Sequence, residues 1–163
     1  MSQLIRQRQL AANDWTAVES VEAAGPDNTL LPLAEYLKLA AAGAAAPNRG
    51  VLLKPEDQDL AALQALLSQL PLIAVQFGSS GEGRGYTQAR LLRERFAFKG
   101  ELRARGAVRV DQVWFLARCG FDAFELAEGE DAATAIAQLE RFSVAYQTGL
   151  PETLTQPRAR YGR

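Results

Sequence analysis

The sequence predicts an α/β fold of four to five β–α units carrying a mainly parallel sheet. Leu72-Ile73-Ala74-Val75-Gln76-Phe77 is a nearly continuous apolar run, the signature of a strand covered on both faces. Apolar stripes at helical spacing alternate with such runs along the chain. The connections between them are short, as right-handed crossovers between parallel strands require.

Trp15 to Val18 reads as a weak first strand or part of an N-terminal hairpin. Gly25-Pro26-Asp27-Asn28 is a turn, and Leu33, Tyr36, Leu37 and Ala40 then recur at helical spacing until Gly43. Val51-Leu52-Leu53 follows the turn at Pro47 to Gly50. A helix is expected next, with Pro55 in its first turn, Glu56, Asp57 and Asp59 complementing its dipole, and Leu60, Leu63, Leu67 and Leu70 as its stripe. After the strand at 72–77 comes a glycine-rich loop, then a helix from about Thr87 to Phe96. Glu101 to Ala104 is a candidate strand, and Asp111 can cap a helix that Gly120 ends. Asp122 to Leu126 is the next strand, and Asp131 opens a last helix through Ile136, Leu139 and Phe142. Residues 1–150 read as a single α/β domain, and 151–163 as a disordered basic tail with Arg158, Arg160 and Arg163. Two architectures fit, a partial (β/α) barrel-like sheet or a three-layer sandwich; a complete eight-unit barrel does not fit 163 residues.

A chain of this length buries roughly 70% of its unfolded surface, and 48% apolar with 23% charged residues is ordinary globular composition. It has no histidine, which removes Ser-His-Asp and Cys-His nucleophile schemes and imidazole-ligated metals. One cysteine rules out an internal disulfide and a Cys-rich metal site held by one chain. Met1 to Leu10 is too polar for a signal-peptide core, and no apolar run approaches the ~20 residues of a membrane span. The expected compartment is a reducing cytoplasm, with no membrane partner.

The net charge of −1 conceals two opposed segments: residues 84–109 balance at +6, and residues 119–152 at −6. The basic segment suggests an anionic ligand or an acidic partner surface, or else simply solvated faces. Nucleic acid is not expected, because the sequence pI is near 5.6 and no binding motif accompanies the basic residues.

Gly78 to Tyr86 (GSSGEGRGY) lies between a buried strand and a helix, at the carboxyl edge where α/β folds bind ligands. Backbone amides there plus Arg84 would suit phosphate, sulfate or sulfite. It is not a P-loop, because Arg84-Gly85 stand where Lys-Ser/Thr is required. The ligand-binding candidates are Gly83, Arg84, Gly85, Tyr86 and Arg90; the other reading is a flexible loop needing positive φ. Asp111 and Gln112 are the catalytic candidates, a carboxylate beside an amide at the same edge, with Asp111 alternatively only an N-cap. Glu125 on a neighbouring strand would join Asp111 in acid–base work only if their environments split their pKa values. Cys119 reads as a buried small hydrophobe, and Tyr86 and Tyr146 as packing residues with a polar tip. Trp114 and Phe115 face different directions, one toward the core and one toward a partner surface.

Glu82-Gly83-Arg84-Gly85-Tyr86-Thr87-Gln88-Ala89-Arg90 through Phe96, and Asp111-Gln112 through Cys119-Gly120-Phe121-Asp122-Ala123-Phe124-Glu125-Leu126, resemble the bacterial domain-of-unknown-function family numbered nine hundred and thirty-four. The resemblance covers roughly residues 30 to 147, ending in Phe142 to Gln147 and reaching faintly back to Leu31-Pro32-Leu33-Ala34. Relatives carry an acidic residue followed by Phe, Pro and Phe ahead of Asp-Gly-Arg-Gly; here that run is Gln76-Phe77-Gly78-Ser79-Ser80-Gly81-Glu82. The resemblance implies a role beside assimilatory sulfite reduction, and family members are often labelled oxidoreductases. With no flavin or nicotinamide fingerprint the sequence assigns no cofactor, so an accessory protein is expected. Its partners would be sulfite reductase or related sulfur-assimilation enzymes. The alternative is a small oxyanion-binding α/β enzyme. A homo-oligomer that covers an open sheet edge is a third expectation.

Overall fold

The structure, a computed structural model, describes residues 2–79 and 81–141. Its strands are β1 (Leu4–Arg6), β2 (Gln9–Ala11), β3 (Thr16–Ala17), β4 (Thr29–Pro32), β5 (Arg49–Leu53), β6 (Leu72–Phe77), β7 (Glu101–Gly106) and β8 (Ala123–Glu125). Its helices are α1 (Leu33–Ala41), α2 (Arg84–Arg90), α3 (Val113–Arg118) and α4 (Ala132–Glu140). The strands form one sheet in the order β2-β1-β8-β7-β6-β5-β4-β3. Pairing is parallel from β3 to β8, while β1 runs antiparallel to both β2 and β8.

This mixed α/β sheet holds eight strands, more than four to five units supply. The extra ones are the β1–β2 hairpin, which lies ahead of the expected Trp15–Val18 segment, and β4, which runs into α1 without a loop.

The parallel strands follow one another in sequence order, so the right-handed crossovers all fall on one face. A three-layer sandwich needs a reversal of strand order that is absent here. One core cluster joins Leu31, Val51, Ile73, Val75, Leu102 and Phe124 to buried residues of all four helices. Among the described residues the apolar cluster of the opposite face is small, Leu30, Leu52, Leu72 and Ala74, with Trp15 and Ala17 packed against them.

The two outermost strands are joined by residues 12–15 alone. Five Cα steps reach at most about 18 Å, whereas eight flat strands at ~4.8 Å spacing would separate those edges by about 34 Å. The sheet therefore curls into a half-barrel, with residues 12–15 crossing its concave face and the helices outside.

The stripe Leu60, Leu63, Leu67 and Leu70 is buried as expected, but the segment is a 3₁₀ turn at Leu60–Leu63 followed by further turns. Asp59 caps the 3₁₀ turn, accepting from the Ala61 amide at 3.2 Å, and Asp57 accepts from the Lys54 amide ahead of it at 2.7 Å. The helix expected over Thr87–Phe96 starts earlier, at Arg84, and loosens into a π-helical turn at Leu91–Arg95. Asp131 caps α4 as expected, accepting from the Thr134 amide at 2.8 Å. Phe142, Tyr146 and the tail 151–163 lie outside the described residues. No helix among the described residues is long and apolar enough to cross a membrane.

Candidate functional site

The carboxyl ends of the parallel strands carry the expected candidates, each held differently. Gly85 is a packing residue: a Cβ there would sit 2.6 Å from Phe77 Cζ, so its absence lets α2 lie directly on the end of β6. Tyr86 is half-buried, edge-on to Phe77 at 5.4 Å, and meets Phe115 of α3 at 5.2 Å. Burial pushes the Tyr86 hydroxyl above its ordinary pKa. Gly83 opens onto free space. The Arg84 amide donates to Glu82 Oε1 at 3.1 Å, and Arg84 Nε lies 3.9 Å from the same oxygen. Arg90 is paired along its helix with Glu94 at 2.8 Å.

A pocket of about 290 Å³ lies between the turn after β5 and α2. Arg84, Thr87 and Gln88 line one side of it, and Pro55, Leu60 and Leu91 add an apolar part. Gln88 is only 5% exposed. Its Nε2 donates to the carbonyls of Lys54 and Asp57, both at 2.8 Å, which fastens the turn to the helix.

Asp111 and Gln112 are not among the residues lining this pocket. Asp111, with its side chain 71% exposed, lies 3.6 Å from Arg109 Nε. It does not cap α3: the N-cap is Gln112, whose Oε1 accepts from the Arg109 amide at 3.1 Å. Glu125 turns to the concave face, 3.4 Å from Arg105 Nη2, and accepts from the Ser2 hydroxyl at 3.3 Å.

Sequence reasoning missed the polar half of that concave face. Arg103 is completely buried. Its guanidinium pairs with Glu101 Oε1 at 2.6 Å and donates to Asn13 Oδ1 at 2.9 Å, so it ties the crossing segment to β7. One row further along the strands, Gln76 of β6, Arg105 of β7 and Glu125 of β8 lie side by side. Among the described residues Arg105 Nη1 and Glu125 Oε2 have no hydrogen-bond partner. Strand alternation was the available signal, because Leu102 and Ala104 face the helices and place Arg103 and Arg105 on the other side.

The residues Arg93, Gly120 and Asp122 form a structural clasp. Arg93 donates to the carbonyls of Gly120 (2.9 Å), Phe98 (2.7 Å) and Gly100 (3.0 Å), and pairs with Asp122 Oδ2 at 2.8 Å. Asp122 Oδ1 accepts from the Leu102 amide at 2.9 Å, which sets β8 against β7. Cys119 is buried, and burial pushes its thiol above the ordinary range against the pull of Arg90 and Arg118. That suppresses thiolate nucleophilicity. Among the described residues no group of three or more Cys, Asp or Glu side chains is placed to hold a metal ion.

On the outside, Phe115 is 50% exposed and leans on Tyr86, while Trp114 is half-buried beneath the Arg118 guanidinium at 4.8 Å. Arg84, Arg90 and Arg109, on α2 and in the turn before α3, are also exposed.

A family described as "Bacterial protein of unknown function (DUF934)" matches residues 50–156. The match begins at β5, so Leu31–Ala34 lie ahead of it. No curated protein matches the chain.

Proposed function

Because the chain belongs to this bacterial family of unknown function, we propose that it is an accessory protein of assimilatory sulfite reduction, acting in the cytoplasm without a redox cofactor of its own. The observation that carries the reading is Phe115, a large aromatic half in solvent and tilted against Tyr86 of the Gly83-Arg84-Gly85-Tyr86 motif, with Arg84 and Arg90 exposed on the helix that carries Tyr86. Exposed aromatics beside Arg are the residue types that anchor protein interfaces. The partner is an acidic surface on sulfite reductase or a related sulfur-assimilation enzyme. Deleting the gene should abolish or slow growth on sulfate or sulfite as sole sulfur source, with rescue by cysteine. Re-supplying the Phe115→Ala chain should fail to restore growth although the protein accumulates normally. Normal growth of the deletion strain on sulfate removes the proposal.

A second reading is ligand binding, with Arg84 holding a small anion. It is supported by the position of Arg84 on the wall of the pocket. Arg84→Ala should then weaken anion binding while leaving the fold intact.

A further inference from the structure

The pocket beside α2 has two properties that a bare inorganic anion would leave unused. Pro55, Leu60 and Leu91 give it an apolar part, and oxyanions such as sulfite have nothing to bury there. The other property is the orientation of Gln88. Its nitrogen donates to two backbone carbonyls, so the amide cannot be turned around, and Oε1 must face away from them. Among the described residues that oxygen is buried and has no hydrogen-bond partner. A buried acceptor without a donor is unfavourable, and a ligand that brings a donor removes the defect.

Arg84 stands four residues before Gln88 in α2, so the two side chains project from the same side of the helix. Arg84 is the cation among the lining residues, and Asp57 is an acid among them. Glu82 is 3.9 Å from Arg84 Nε. With one guanidinium in the lining and Glu82 beside it, the pocket disfavours a polyanion such as a nucleotide polyphosphate. Asp57 is already engaged by the Lys54 amide, so the Arg84 guanidinium is the counter-charge that one carboxylate would meet.

We infer that the pocket binds a small aliphatic carboxylate that also carries a hydroxyl or amine. The carboxylate meets Arg84, the hydroxyl or amine hydrogen meets Gln88 Oε1, and the aliphatic part covers Leu60 and Leu91. The assignment rests on the ligand-binding reading of Arg84 and narrows it from any oxyanion to an organic acid. A volume of about 290 Å³ suits a molecule of this size.

Calorimetric titration of the full chain with 2-hydroxyisocaproate, isocaproate and sulfite tests it. Saturable binding of 2-hydroxyisocaproate is expected. Isocaproate lacks the donor and should bind about fivefold more weakly or worse. Arg84→Ala should weaken the hydroxy acid about tenfold or more. Thr87 is exposed, so Thr87→Phe should fill the pocket and abolish binding with an unchanged circular dichroism spectrum. Equal binding of the two organic acids overturns the role of Gln88. Sulfite binding without organic-acid binding overturns the organic-acid assignment and leaves the oxyanion reading standing. No heat with any ligand at roughly 10 mM overturns both.

Discussion

Arg93 and Gly120 interlock: Arg93 Nε donates to the Gly120 carbonyl at 2.9 Å, and Arg93 Cγ lies 2.6 Å from where a side chain at residue 120 would begin. Gly120 also has φ +105°, a conformation that L side chains rarely adopt. Gly120→Ala should therefore destabilise the chain by about 1–3 kcal/mol, read as a lower urea midpoint with unchanged slope. Arg93→Ala in the same background should not restore stability, because the conformational strain remains and four hydrogen bonds go with the guanidinium.

The buried Arg103 should be costly to remove alone. Among the described residues Arg103→Met leaves Glu101 with the longer 3.5 Å contact to Arg6 as its remaining ion pair, and the expected loss is about 3–5 kcal/mol. Arg103→Met combined with Glu101→Gln should cost clearly less than the sum of the two single changes. Additive losses in a denaturation cycle would mean that the pair is not coupled.

Gln76 stands opposite Arg105 in the β6–β7 register, and Arg105 Nη1 has no hydrogen-bond partner among the described residues. Gln76→Glu places a carboxylate within its reach and should raise stability by about 1 kcal/mol. A fall in thermal midpoint would show that the guanidinium and residue 76 do not meet.

Gln7 and Arg8 form the β1–β2 turn with φ of 52° and 61°, both left-handed. Such turns favour Asn-Gly. Gln7→Asn with Arg8→Gly should stabilise the chain by about 0.5–2 kcal/mol in thermal melts.

Cys119, Tyr36 and Tyr86 are all pushed above their ordinary values of 9.0, 10.0 and 10.0 by burial. The unfolded chain therefore ionises first, and above about pH 9 it binds fewer protons than the folded chain. Stability should fall as pH rises through this range. Cys119→Ala together with Tyr86→Phe should flatten the decline, and an unaltered pH profile would mean that neither group contributes.

Sequence patterning reached the elements whose signals are local. The apolar run at 72–77, the stripe of α1 and the Asp131 cap all lie where expected. The hairpin at 4–11 escaped because its strands have three residues each and its turn carries Gln-Arg instead of Asn-Gly. Leu60–Leu70 has helical spacing, but its backbone closes with bonds three residues apart, such as Gln64 to Ala61 and Leu66 to Leu63, a difference that periodicity does not register. Arg84 was legible as part of a carboxyl-edge loop. Gln88 was not, because its importance comes from two carbonyls more than 30 residues away. Arg103 in Arg-Ala-Arg reads as a solvated charge until the curl of the sheet encloses it.

The curled sheet also has a consequence for how the chain is made. The ribosome releases β1 first, yet β1 pairs with β8, which lies about 120 residues downstream. At 5–20 residues per second, the hairpin waits roughly 6–24 s for its partner strand to be synthesised. During that interval β3 to β7 can pair in order of emergence, each beside its predecessor. Translation therefore delivers the first segment long before it is needed, and the hairpin joins the nascent sheet only after synthesis of β8.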